Sequence, residues 1–214
     1  MPDNIEQNAN TFSLEELPTL QKFETSLYDI PIKSLDGEEN LLSKYKGKVT
    51  MITNVTGECA NSAQYPIIES LYHEYKDKGF EVLAIPSTDF CEFAYGEFAD
   101  TSATPEKMRD HMRDYYKTEL PYAEMVTIKK DEETGSTPHK LYDILQYGGF
   151  PANGGPVQGN FEKFIISRDG KKMYRFCNSD LLDLAFDAGN RKTNSQQALV
   201  NIKAAIEVML EELV

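Results

Sequence analysis

Cys59 is the residue in this chain whose type and surroundings best suit nucleophilic chemistry. Just before it, Val49, Met51, Ile52 and Val55 form a short apolar run with the character of a buried strand. The run stops at Thr56 and Gly57, a turn signal. Beyond the cysteine, Ile67, Ile68, Leu71, Tyr72 and Tyr75 recur at helical spacing, and Gly79 suits the position just past a helix end. Cys59 therefore falls where a buried strand hands over to a helix. Unpaired backbone N–H groups and the positive end of the helix dipole favour thiolate there, the reactive form of the side chain. The same placement also suits a small buried core cysteine, and the residues alone leave both readings open.

The other groups able to do chemistry are more dispersed. The three cysteines, Cys59, Cys91 and Cys177, are too few and scattered for a disulfide framework, and no Cys-x-x-Cys is present. Cys91, on a loop after a predicted strand, reads first as an inert buried thiol, and Cys177 ends a predicted strand and reads as core. His73, His111 and His139 have no metal-ligand spacing; each falls in a predicted helix and reads as solvated. The glycine- and proline-rich stretch 148–156 lacks phosphate-loop spacing.

The elements that must position Cys59 follow from periodicity. Residues 27–35 alternate as a strand, Asp36-Gly37 marks a hairpin turn, and 39–42 return as a second strand. Strand 49–55, the helix after Cys59 and strand 80–86 make a βαβ unit, which implies parallel pairing. Thr104-Pro105 starts a helix whose apolar stripe is Met108, Met112, Tyr115 and Tyr116. Residues 122–128 read as a third parallel strand and 138–147 as a short helix. Residues 160–167 and 171–177 flank Arg168-Asp169-Gly170, a strong hairpin signal. A last helix, 195–213, carries Leu199, Ile202, Ile206, Met209 and Leu213 on one face. This order predicts an α/β, thioredoxin-like fold: a mixed central sheet with helices on both faces and an N-terminal β-hairpin.

At 214 residues the chain is expected to hold one such domain, 26–214, behind a polar N-terminal extension, 1–25. In that extension Ser13 and Glu16 have capping-box spacing, with Pro18 inside the turn they would start. A net charge of −13 argues against nucleic-acid or anionic-membrane surfaces. No apolar run reaches membrane-spanning length, and the first residues lack the basic and apolar regions of a signal peptide, so a cytoplasmic protein is expected.

Several motifs together resemble the glutathione peroxidase family: residues 27–39, 42–49, Asn54-Val55 with Cys59, Gln64-Tyr65, 71–72, 75–79 and 81–86. Asn160-Phe161-Glu162-Lys163-Phe164, Arg168-Asp169-Gly170 and Arg175-Phe176 match the family's later signature, and 116–121 and 138–145 fit between. The resemblance spans roughly residues 26–177 plus the last helix. It implies a thioredoxin-type fold whose peroxidatic cysteine falls on Cys59, acting on hydrogen peroxide or organic hydroperoxides through a sulfenic acid. It implies no cofactor beyond a thiol co-substrate of glutathione or thioredoxin type.

In that family a glutamine, a tryptophan and an asparagine surround the sulfur. By resemblance the asparagine falls on Asn160, the glutamine position on Asp89 and the tryptophan position on Gly159. A carboxylate at 89 accepts hydrogen bonds and repels a thiolate. Glu58 adds a second negative charge beside the cysteine. At an effective dielectric near 20, one such charge about 6 Å away opposes ionisation by roughly 2–3 kcal/mol. These carboxylates lead to the expectation that a protein dithiol or small neutral thiol serves as reductant more readily than glutathione. The family's resolving position, near Arg113, holds no cysteine, which leaves Cys91 as the resolving candidate. The alternative is a thioredoxin-fold binding or regulatory module without peroxidase chemistry. A peroxiredoxin is a further reading, because Thr56 and Cys59 satisfy Thr-x-x-Cys, although the proline expected upstream is replaced by Ile52. Oligomeric state is left open.

Overall fold

The computed structural model describes residues 17–91, 96–152, 154–186 and 194–212; the Ser13–Glu16 spacing lies outside them. In chain order the strands are β1 (Gln21–Lys22), β2 (Val49–Val55), β3 (Phe80–Pro86), β4 (Lys163–Ile166) and β5 (Lys172–Phe176). The helices are α1 (Tyr65–Tyr75), α2 (Glu97–Thr101), α3 (Pro105–His111), α4 (Lys140–Tyr147), α5 (Leu182–Phe186) and α6 (Asn194–Glu211). The sheet order is β1-β5-β4-β2-β3. β2 pairs parallel with β3, from Val49 opposite Phe80 to Val55 opposite Pro86, and antiparallel with β4. The β4–β5 hairpin and the βαβ unit are both where the sequence pattern puts them.

β2 is buried along all seven residues, as a strand between two neighbours and two covered faces must be. Its side chains alternate. Val49, Met51 and Val55 meet Ile68, Leu71 and Tyr75 of α1 and Ile202, Ile206 and Met209 of α6. Ile52 faces the other way, toward Leu141, Tyr142 and Leu145 of α4 and the buried Leu27, Tyr28, Ile30 and Ile32. The mixed sheet with helices on both faces is thus present.

Two expected strand segments are not ladders. Around Asp36-Gly37 the chain does reverse: Gly37 N donates to Ser34 O (3.0 Å) and Leu41 N to Ile32 O (2.8 Å). Its flanks, however, wind as 3₁₀ turns over Leu27–Asp29 and Leu41–Tyr45. Leu27 and Ile30, three apart, suit one face of such a turn, and Pro31 has no N–H to give a ladder. Residues 122–128 pair with β3 through one parallel bridge, Ala84 to Tyr122, and a bond from Val126 N to Pro86 O (3.0 Å). Ala84 N donates to Pro121 O and Ala123 N to Ala84 O, both at 2.9 Å, and the prolines at 86 and 121 have no N–H to extend the pairing.

Candidate active site

The end of β2 sets the geometry. Thr56 and Gly57 lead the chain off the sheet, and Cys59 sits as N-cap of a 3₁₀ turn, Ala60–Gln64, that runs into α1. The Cys59 backbone is extended (φ −156°, ψ 172°), which turns its sulfur back over the first amides of the turn. The Ser62 N–H donates to it, and the Asn61 amide and the Asn160 side chain lie close enough to favour its thiolate. The Ser62 hydroxyl lies 3.5 Å from the sulfur but 2.9 Å from the Gly57 carbonyl, and its single proton belongs to the shorter contact. Ser62 Oγ also accepts from Cys59 N at 3.0 Å, which closes the turn.

Asn160 reaches the sulfur because β2 and the strand after it are tied together by Asn54. Fully buried Asn54 donates from Nδ2 to Gly159 O (3.0 Å) and accepts at Oδ1 from Glu162 N (3.1 Å). Its backbone carbonyl accepts from Phe161 N at 2.7 Å, and Phe161 takes a left-handed backbone (φ 72°) to allow it. Asn160 Nδ2 spends one hydrogen on Phe90 O (3.2 Å), which orients the amide nitrogen toward Cys59. Asn54 is legible in sequence as a strand residue and part of the family motif, but not as a clamp, which links positions 108 apart.

The thiol itself departs from expectation. Burial pushes Cys59 above its ordinary range, and the Ser62, Asn61 and Asn160 donors pull it only part of the way back. The turn supplies the amides foreseen, but removal from water outweighs them.

Asp89, expected to line the site and to oppose the thiolate, is bonded to the backbone. Its carboxylate accepts from the N–H groups of Ile128 and of Lys129 (2.7 Å), capping the loop beyond β3. Gly159 carries no ring, and a Cβ there would sit 2.5 Å from Asn178 Nδ2, so Asn178 occupies the space beside it. Cys91 is half-buried with its sulfur 2.8 Å from Thr56 Oγ1. Cys177, read as core, is exposed just past β5.

His111, expected to be solvated, pairs with Glu58. Glu58 is not a free charge, and His111 is not a solvated one: His111 Nε2 lies 2.6 Å from Glu58 Oε2, and Tyr116 OH donates to Glu58 Oε1 at 2.9 Å. His73 is exposed on α1, while His139 precedes α4 and accepts at Nδ1 from Leu141 N (3.2 Å). The cysteine loop is gripped from the α2–α3 corner as well. Thr101 Oγ1 accepts from Glu58 N and Ser102 Oγ from Gly57 N, both at 3.0 Å. Any side chain at 57 would collide with the Thr101 carbonyl, so glycine is required there. Among the described residues no group of three or more His, Cys, Asp or Glu side chains could hold a metal ion, and no helix is long and apolar enough to cross a membrane.

Residues 27–146 match the family model described as glutathione peroxidase. The chain belongs to the glutathione peroxidase family. It is accordingly a peroxidase-class enzyme, and the family takes thiol co-substrates. The chain is 32% identical over 147 residues to glutathione peroxidase 1 of Helianthus annuus, covering 68% of this chain and 81% of that protein. It is 32% identical over 154 residues to the glutathione peroxidase-like peroxiredoxin 2 of Saccharomyces cerevisiae, covering 71% and 87%. The crystal structure of Trgpx in apo form superposes with a TM-score of 0.57 at 24% identity, over 88% of this chain and 97% of that one. The fold is thioredoxin-like. Within this glutathione peroxidase framework, Asp89 meets the Ile128 and Lys129 amides and Asn178 lies against Gly159.

Proposed function

We propose that this chain reduces hydroperoxides with Cys59 as the nucleophile and Asn160 as a donor to its sulfur. The observation that carries the reading is the Ser62 N–H on that one sulfur, with the Asn61 amide and the Asn160 side chain favouring the same anion. Three such groups stabilise negative charge on sulfur as it forms. The thiolate attacks the terminal peroxide oxygen; the S–O bond forms, the O–O bond breaks, and the leaving oxygen takes a proton to depart as alcohol or water. Sulfur is oxidised to sulfenic acid. One thiol then displaces water to give a mixed disulfide, and a second thiol releases Cys59.

Asp89 belongs to the wall of the site through the loop it caps, not as a charge on the sulfur. With Asp89 bonded to two amides and Glu58 to His111 and Tyr116, the local charge argument against glutathione weakens. Reduction by a dithiol protein rests on the acidic surface, net −13, and on Cys91 as a possible internal partner.

The upward push on the Cys59 thiol favours a second reading, a binding or regulatory module of the same fold. The rate at which hydrogen peroxide consumes the Cys59 thiol decides between them. A rate well above that of free cysteine at the same pH supports the peroxidase; a rate equal to or below it supports the module.

A further inference from the structure

Glu58 directly precedes Cys59, and its carboxylate would oppose thiolate formation if it faced the sulfur. Both of its oxygens are instead bonded to groups from α3 and the helical turn that follows it. Oε2 meets His111 Nε2 at 2.6 Å and Oε1 accepts from Tyr116 OH at 2.9 Å. The pair is largely withdrawn from water, with side-chain exposures of 21% for His111 and 20% for Glu58. The backbone is held too, by Glu58 N donating to Thr101 Oγ1.

The donors are themselves fixed. Met112–Tyr116 forms a π-helical turn, ended by Lys117 in the left-handed region (φ 59°). Such turns recur at functional sites because the extra residue re-aims neighbouring side chains. Here the His111 ring stacks on Tyr115 (centroids 5.4 Å apart, planes 11°), and Tyr115 meets Tyr116 edge-on at 4.8 Å. Tyr116 packs against the same core cluster as Cys59. Its hydroxyl responds to both neighbours: burial raises it most, then the Glu58 hydrogen bond and charge, with Cys59 contributing. Tyr116 thus bonds the carboxylate and packs against the same core cluster as the thiol.

We propose that His111 and Tyr116 are positioning residues that clamp the Glu58 carboxylate away from Cys59, and so set how readily that thiol ionises. The inference rests on the assignment of Cys59 as nucleophile. The charged groups facing His111 are Glu58 from the cysteine loop and Asp114 from its own helical stretch. Losing either clamp donor frees the carboxylate to swing toward the sulfur.

The test is site-resolved alkylation of Cys59 against pH, by mass spectrometry, in the wild type, H111A, Y116F, E58Q and H111A combined with E58Q. Releasing one like charge at close range is expected to raise the Cys59 midpoint by about one pH unit in H111A and Y116F. H111A should have little effect once E58Q is present, because no carboxylate remains to be released. Y116F removes one hydroxyl only and keeps the test open if H111A does not fold. Equal shifts from H111A with and without E58Q, or no shift in either H111A or Y116F, overturn the clamp. Peroxide consumption by wild-type Cys59 is measured in parallel. An inert thiol that still shows the Glu58-dependent shift supports the clamp while removing the peroxidase reading. A reactive thiol without the shift removes the clamp alone.

Discussion

Asn54, inside the central strand, donates to the carbonyl of Gly159 at 3.0 Å, one residue before the asparagine that reaches the Cys59 sulfur. Strand and site are thereby one unit. Asn54→Ala leaves the Gly159 carbonyl and the Glu162 N–H without their buried partner, at about 1–3 kcal/mol each. Chemical denaturation should show a loss of about 2–6 kcal/mol. Cys59 should also lose peroxide reactivity in the molecules that remain folded, because Asn160 is no longer held. A variant with wild-type stability and reactivity would show that the clamp is dispensable.

Burial raises the Cys59 thiol, so its reactive form grows with pH past the ordinary thiol range rather than levelling near neutrality. The peroxide rate of Cys59 is expected to climb about tenfold per pH unit up to the alkylation midpoint. Asn160→Ala removes a donor to the sulfur, moves that midpoint higher and lowers the rate at pH 7. A plateau beginning below pH 8 would contradict the dominance of burial.

Asp89 caps the Ile128 and Lys129 amides. Asp89→Ala should therefore cost about 1–3 kcal/mol of stability while leaving the Cys59 midpoint in place. Thermal melts and alkylation on the same samples separate the two effects. A midpoint that falls by a full pH unit would put the carboxylate at the sulfur after all.

Lys163 is fully buried in β4 and donates to Gln64 Oε1 (2.6 Å) and to the Cys177 and Asn178 carbonyls (3.1 and 3.3 Å). Burial pushes its ammonium down to about 7, with Asp180, Glu162 and Cys177 pulling it back. Its folded value lies below the unfolded one, so above pH 7 the unfolded chain binds more protons and stability rises with pH. The gain is bounded on the alkaline side by Cys59 and Cys177, whose raised thiols lose stability once unfolded cysteines ionise near 9. Denaturation midpoints should therefore increase between about pH 7 and 8.5, by up to about 2 kcal/mol. Flat or falling stability over that window would show that Lys163 stays charged in the folded chain.

Cys91 is engaged with Thr56, three residues before Cys59. If it resolves the sulfenic acid, one equivalent of peroxide should yield a Cys59–Cys91 disulfide after the loop releases Thr56. Non-reducing peptide mapping reads this directly. Sulfenic or sulfinic Cys59 with Cys91 still free would leave reduction to external thiols alone.

The parts of the fold whose signal is local are legible in the residues alone. The β-branched run into Thr56 and Gly57 marks a buried strand ending at a cysteine, and the structure has β2 and Cys59 there. Arg168-Asp169-Gly170 marks the β4–β5 hairpin, and the apolar face of Ile202, Ile206 and Met209 marks α6. These hold because strand and helix periods are written in neighbouring residues. Tertiary structure decided what depends on distant partners. Residues 27–42 bury Leu27, Tyr28, Ile30, Ile32, Leu41 and Leu42 through two 3₁₀ turns and the chain between them, since burial constrains the face of a segment and not its ladder. Asp89 went to two backbone amides, because an unpaired N–H beside a carboxylate is the stronger claim on it. Glu58 found His111 across 53 residues, a pairing that no spacing announces. The balance at Cys59 also belonged to the fold: amides at a turn are legible in sequence, but the water excluded by Tyr65, Tyr116 and Phe161 around them is not.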